Sequence, residues 1–290
     1  CDPYYDVEFR IADGLAMELG LSLLSDERAD AGVLYTLTFN LDNGHTFIPM
    51  EKLTHTVCVL LSDEDVEFDE ARALESILRL SERGKLVREQ IAGRDAVYLR
   101  SIHDAEAYLA EMLGGMAERC FLYDFDVDEL LGALMEGSEF PYSEKQKQAI
   151  SVAARSGLVI LTGGPGTGKT TTVRGILQVF EALGLHTLLA APTGRAAKRL
   201  SDLTGIEART IHRLLEAGFA AGGRTAFAHN LTNPLECDAV ILDEVSMVDI
   251  TLMQALVEAL PHGARLVLVG DADQLPPVGP GNFLRDMIGS

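Results

Sequence analysis

The densest phosphate-handling chemistry in this 290-residue chain is GGPGTGKT, Gly163 to Thr170, set between the apolar run LVILT and the helix-like TTTVRGILQVFEAL. The spacing G-x-x-x-x-G-K-[ST], after a strand and opening a helix, is the context a P-loop requires. Its glycines let backbone N–H groups close around phosphate oxygens, and the helix N-terminus adds partial positive charge. Gly164, Pro165, Gly166, Thr167, Gly168, Lys169, Thr170 and Thr171 are therefore expected to form a nucleotide cradle. Lys169 meets the β- and γ-phosphates, and the Thr170 hydroxyl ligates Mg²⁺.

Two further stretches carry matching chemistry. In CDAVILDEVSMVD, the run AVIL delivers Asp243 as a second Mg²⁺ ligand and Glu244 as the group that orients or deprotonates water. Two adjacent acids can equally cap a helix; the P-loop some 70 residues upstream favours the catalytic reading. In GDADQLPPVGPGN, Gln274 is a neutral amide in a proline-flanked loop, suited to sensing a γ-phosphate. A fourth stretch, APTGRAAKRL, places Thr193 at a helix start and groups Arg195, Lys198 and Arg199 on one face. That face fits nucleic-acid phosphates or plain solvent, and charge alone does not decide.

From residue 143 onward, the apolar runs LVILTG, HTLLAA, AVILD and RLVLVG alternate with helix-like segments. Runs without polar alternation fit strands buried on both faces, hence a parallel sheet sandwiched by helices, an α/β fold. Such sheets bind ligands beyond their strands' carboxyl ends, where every motif above begins. The first half is read as mostly helical: helices over 8–21, 51–62 and 69–83, then a hairpin about Ala92-Gly93-Arg94-Asp95. Residues 46–101 form a winged-helix-like module, suited to DNA binding or to packing, and 102–140 a helical linker. The motor lobe occupies 141–290, after a break at Gly137-Ser138 and Pro141.

The formal charge of −20 is uneven: residues 1–140 hold 30 acidic and 11 basic side chains, residues 141–290 hold 14 and 13. A nucleic-acid grip must therefore be local and lie mainly in the second half. Cys1, Cys58, Cys120 and Cys237 lie far apart with no CxxC pair, which points to a reducing cytoplasm rather than zinc or disulfides. No apolar run reaches membrane-spanning length, and no secretory signal is evident at the start.

Taken in order, GGPGTGKTTT, APTGRAAKRL, RTIHRLL, VILDEVSMVD and GDADQLPPVGPGN resemble the first RecA-like lobe of RecD/TraA-type superfamily 1 helicases, the group of the exodeoxyribonuclease V alpha subunit. The resemblance implies an ATP- and Mg²⁺-dependent motor moving 5′ to 3′ on single-stranded DNA, in recombination or repair. It assigns adenine recognition to Gln146 of YSEKQKQAI. Thr193, Arg195, Thr210 and His212 go to the DNA side, where Lys198 joins them from its helix face. The N-terminal half resembles the longer, stand-alone RecD-like helicases through DPY, F-x-x-A-D-x-x-A-x-x-L-G, NGHTFIP and GKLV…VYL. It departs where DVEF replaces a glycine-rich helix-hairpin-helix turn, so residues 1–45 hold only part of that element. The resemblance also implies a second motor lobe that these 290 residues do not contain. They are expected to be monomeric and to bind nucleotide without unwinding DNA. A P-loop ATPase of another class, and a non-catalytic module in 1–140 that docks a protein partner, are the competing readings.

Overall fold

A computed structural model of the chain describes residues 9–63, 67–136, 141–219 and 225–289. The DPY motif, Cys1 and the Gly137-Ser138 break lie outside them. The chain divides into two compact units, one holding residues up to Glu106 together with Val278–Gly281, the other the remaining described chain.

The first unit runs α1 (Phe9–Glu18), α2 (Asp26–Asp42), β1 (Phe47–Pro49), α3 (Met50–Leu61), α4 (Glu70–Glu82), β2 (Leu86–Ile91) and β3 (Arg94–Leu99), leading into α5 (Arg100–Ala117). The strands form one antiparallel sheet in the order β1-β3-β2. Its hairpin turns on two residues, Ala92 and Gly93, both at positive φ, not on the four expected. That geometry matches the twist of the strands on either side. The unit's core includes Ala29, Val33 and Leu37 of α2, so it starts well before residue 46. Helices α2 and α4 have Ser25 and Asp69 as N-caps. Asp30 of α2 accepts from Ser76 (2.7 Å) and from Arg79 of α4 (2.7 Å). Arg83 joins the same carboxylate at 3.2 Å. Two of the cations nearest α4's end are thus already paired within the unit.

The second unit continues with α6 (Val127–Glu136), α7 (Glu144–Arg155), β4 (Leu158–Thr162), α8 (Lys169–Ala182), β5 (Thr187–Ala191), α9 (Gly194–Thr204), β6 (Ala208–Thr210) and α10 (Ile211–Leu214). It then runs through β7 (Ala217–Phe219), β8 (Thr225–Phe227), β9 (Ala239–Leu242), a 3₁₀ turn (Val245–Met247), α11 (Ile250–Glu258), β10 (Arg265–Gly270) and α12 (Phe283–Gly289). Five strands form a parallel sheet in the order β4-β10-β9-β5-β6. All four residues of β9 and all six of β10 are buried, as strands covered on both faces must be. The segment 107–136 shares this unit's core: Val127 and Leu131 of α6 pack with Ile150, Val173 and Ile176. Phe121 N–H donates to Arg155 O (2.7 Å) and Gly157 N–H to Arg119 O (3.0 Å), tying that segment to the start of β4. Beside it, the buried Arg265 guanidinium lies 3.6 Å from the Phe121 ring centroid and donates to Tyr123 Oη (2.7 Å).

Candidate nucleotide and nucleic-acid site

The P-loop joins β4 to α8 at the sheet's carboxyl edge. Gly166 and Gly168 sit at φ 74° and 85°, a region L-residues rarely adopt, and Gly168 is the N-cap of α8. The first backbone bond of the helix runs from Thr172 N–H to Gly168 O (3.0 Å). The N–H groups of Lys169, Thr170 and Thr171 thus lack intrahelical acceptors, the usual condition of a first turn and the basis of anion binding there. A Cβ at Gly164 or Gly166 would meet no heavy atom within 4 Å, so the cradle is open. A Cβ at Gly163 would meet Thr167 Oγ1 at 2.7 Å. Thr167 Oγ1 in turn donates to Gly164 O (2.9 Å) and holds the loop's curl. The Lys169 ammonium donates to Gly163 O and to Gly164 O (3.2 Å for the latter), acceptors that phosphate oxygens can replace.

Gln146 stands at the third position of α7 and completes a capping box with Ser143. Ser143 N–H donates to Gln146 Oε1 (2.9 Å), and Gln146 Nε2 points at Gly168 O, 3.4 Å away. The residue assigned to adenine therefore also fastens α7 to the phosphate loop. This leaves one amide N–H uncommitted.

Asp243 and Glu244 leave the end of β9, two strands from β4. Asp243 Oδ1 accepts the Glu244 N–H (2.9 Å), and Asp243 N–H donates to Ala190 O (2.9 Å), fixing the carboxylate against β5. Burial pushes the Asp243 carboxyl above its ordinary value; the Glu244 N–H bond opposes this, the Glu244 charge adds to it, and Lys169 and Arg199 pull the other way. A half-buried carboxylate at the carboxyl end of β9, whose burial disfavours its charge, has the chemistry to take a hard divalent cation. The Thr170 hydroxyl in the first turn of α8 would be the second oxygen donor. Glu244 itself has φ 55°, one of three non-glycine residues at positive φ among those described. Its Oε1 lies 4.0 Å from Arg199 Nη1. Gln274 follows β10, and its side-chain oxygen accepts the hydroxyl of Ser246, 2.8 Å away.

The proposed DNA side starts from adjacent strands, since Ala191 of β5 pairs in register with Thr210 of β6. Thr193 and Thr210 are both N-caps, accepting from Ala196 N–H (3.2 Å) and Arg213 N–H (3.2 Å). Each keeps its hydroxyl proton for another acceptor. Arg195 and Lys198 are exposed on α9, whose buried face carries Ala197 and Leu200. His212 is exposed on α10, with its ring 6.0 Å from that of Phe227.

Over 283 residues the chain is 36% identical to the ATP-dependent RecD2 DNA helicase of Deinococcus radiodurans, covering 95% of this chain and 38% of the relative. It is 41% identical over 186 residues to the RecBCD enzyme subunit RecD of Mycolicibacterium smegmatis, covering 56% and 32%. The chain is a homologue of the RecD-type superfamily 1 helicases. A family model described as AAA domain matches residues 146–280. Among solved structures, Bacteroides sp Pif1 in complex with ADP-AlF4 aligns over 52% of this chain and 36% of its own, with 23% identity and a TM-score of 0.36. The chain spans little more than a third of the length of the RecD2 relative.

For this RecD-like chain, the P-loop, Asp243-Glu244, Gln274 and the two threonine caps all emerge at one edge of one sheet. Two partners escaped the sequence reading. Ser246 is buried behind Gln274, and Arg199, grouped there with the DNA-facing cations, instead reaches toward Glu244. The string DEVSM holds Ser246 two residues after Glu244, but nothing local signals its bond to a residue 28 positions on.

Proposed function

We propose that this chain forms the first motor lobe and N-terminal region of an ATP-dependent DNA helicase that moves 5′ to 3′ on single-stranded DNA in recombination or repair. The observation that carries this is the convergence of all five motifs at the carboxyl ends of the five parallel strands. The likeness to the ATP-dependent RecD2 DNA helicase of Deinococcus radiodurans, which aligns over nearly the whole of this chain, supports the same reading. The backbone N–H groups of Gly164–Thr171 and the Lys169 ammonium bind the phosphates, and Gln146 contributes at the adenine. Mg²⁺ held by Thr170 and Asp243 would neutralise charge on the transferring phosphoryl group. Glu244 orients the attacking water and takes its proton, and the Gln274 amide registers the γ-phosphate. Thr193, Arg195, Lys198, Thr210 and His212 line the strand-binding side. Free thiols at Cys58, Cys120 and Cys237 fit a reducing cytoplasm.

A single lobe lacks the arginine that a second lobe supplies across the nucleotide, a contribution worth about 10³–10⁵ in rate in related systems. The 290 residues should therefore bind ATP but hydrolyse it near background. Titration calorimetry with ATP and Mg²⁺, followed by hydrolysis assays with and without single-stranded DNA, tests both parts. No nucleotide binding at millimolar concentration would sink the site, and robust DNA-stimulated turnover would sink the one-lobe reading.

A further inference from the structure

We propose that Arg199 is shared between the catalytic carboxylate and the nucleic-acid track: it rests on Glu244 while the track is free and exchanges Glu244 for a strand phosphate when DNA binds. This rests on the functional reading above and adds to it a physical link between the DNA side and the water-orienting residue.

The topology makes the link short. Helix α9 starts from the end of β5, and Asp243-Glu244 leave the end of β9, the neighbouring strand in the sheet. Asp243 N–H bonds to Ala190 O, locking the two strand ends together. From α9, Arg199 brings Nη1 to 4.0 Å from Glu244 Oε1, and Glu244 is its only ion-pair partner among the described residues. Arg195 and Lys198, on the same exposed side of α9, have no ion pair among the described residues. One of three neighbouring cations thus points at the ATP site while the other two remain available to a strand.

The contact has the strength an exchangeable link needs. Charge-assisted hydrogen bonds close to about 2.7–2.9 Å, so a separation of 4.0 Å is loose. The Arg199 side chain is 72% exposed against 26% for Glu244, so the arginine can swing outward while the glutamate stays. A tighter, buried pair would not open for a surface ligand. A phosphate offers the planar guanidinium two oxygens at once, a better match than this single distant carboxylate oxygen. While Arg199 rests on Glu244 it competes with water for the carboxylate's lone pairs, and its departure leaves them to the nucleophile. Glu244 is held by its backbone, with φ 55° and its N–H on Asp243, so the arginine is the part that moves. Coupling through one exposed pair is bounded by what that pair is worth, about two- to fivefold. By linkage the effect is reciprocal: the Glu244 carboxylate must weaken strand binding by the same factor.

That reciprocity gives a test that needs no turnover. The affinity of a fluorescein-labelled oligothymidylate for the 290-residue chain is measured at low salt for the unchanged protein, Glu244→Gln, Arg199→Ala and the double variant. Glu244→Gln is expected to tighten binding about two- to fivefold when Arg199 is present. In the Arg199→Ala background the gain should shrink to that of removing any one nearby negative charge, given by Asp202→Asn on the exposed side of the same helix. Arg199→Lys, which keeps the charge but not the planar fork, should retain part of the coupling. Equal factors in both backgrounds overturn the sharing while leaving the strand-binding reading intact. If the unchanged chain does not bind the oligonucleotide, that reading falls and the sharing with it.

Discussion

Ser246 donates its hydroxyl to the side-chain oxygen of Gln274 across 2.8 Å, joining the 3₁₀ turn after Glu244 to the loop after β10. Ser246 is buried and Gln274 exposed, so the serine is the fixed end and the glutamine the movable one. With its oxygen engaged, Gln274 presents its amide N–H groups, the half of the side chain that a phosphate oxygen accepts from. Ser246→Ala is expected to cost about 0.5–1.5 kcal/mol of stability. It should also reduce the preference for ATP over ADP by roughly two- to tenfold, the same range expressed as affinity. Calorimetry with each nucleotide measures the ratio; an unchanged ratio would mean that Gln274 does not read the γ-phosphate.

Lys169 is committed to the loop's own carbonyls, Gly163 O and Gly164 O. Lys169→Ala should leave the fold intact, because the amine is at the open edge of the loop and not inside the core. Nucleotide affinity should fall at least about tenfold, the loss expected for charge-assisted bonds to phosphate. Thermal unfolding and ATP titration of the same sample separate the two effects. A variant that melts normally and binds ATP normally contradicts the assignment.

Asp243 makes a pH-dependent prediction. Burial raises its folded-state pKa above the ordinary carboxyl value of 3.8. Between that value and the raised one, the folded chain binds more protons than the unfolded chain, so stability from this group falls as pH rises. Above the raised value the loss is complete. Asp243→Asn keeps the oxygen that accepts the Glu244 N–H and removes the charge. It should therefore melt above the unchanged chain at neutral pH, and the gap should close toward pH 4. Mg²⁺ should raise the melting temperature of the unchanged chain and leave the Asn variant where it is. A variant that melts lower at neutral pH, or still responds to Mg²⁺, counts against the carboxylate's role as a ligand held at a cost.

The elements that could be read from sequence are those whose burial leaves a local trace. β9 and β10 are unbroken buried runs because both faces are covered, and β4 and β5 are apolar apart from one terminal threonine each, though only partly buried. The P-loop declares itself because only glycine suits Gly166 and Gly168. β6 escaped: Ala208-Arg209-Thr210 is three residues long and at the sheet edge, too short and too polar for any period. β1, Phe47–Pro49, was hidden by its length, three apolar residues with Pro49 at the end giving no period to read. In α2 the buried face includes Arg28, Gly32 and Thr36, which mask an amphipathic pattern. Arg28 is tolerated there because it donates to Asp13, to Leu23 O and to Leu61 O. The Ser246–Gln274 and Arg199–Glu244 contacts could not be read at all, since both are set by strand order and not by neighbours in the chain.

Glu244 occupies the left-handed region at φ 55°. A side chain there costs roughly 1–2 kcal/mol that glycine does not bear. Glu244→Gly should therefore be more stable than Glu244→Ala by about 1 kcal/mol, the reverse of what these residues do in ordinary backbone. Denaturant unfolding of the two variants gives the comparison. If the alanine variant proves as stable or more so, the strain assigned to this position is absent.

The cations on α9 set the salt dependence of strand binding. Arg195 and Lys198 are exposed and, among the described residues, carry no ion pair. Each phosphate neutralised on a single strand contributes about 0.7 to the slope of log affinity against log salt. Arg195→Ala and Lys198→Ala should each flatten that slope by about this amount and weaken binding at low salt. The loss should be similar for different base sequences, because phosphate contacts carry no sequence information. Thr193→Val should leave the slope alone, since a hydroxyl neutralises no charge. It should still destabilise α9 by removing the cap on Ala196 N–H, by about 0.5–2 kcal/mol. Fluorescence titration at several salt concentrations reads the slopes. Two unchanged slopes would place the strand elsewhere than on α9, and a flattened slope in the threonine variant would mean that the cap's effect on the helix had been mistaken for charge.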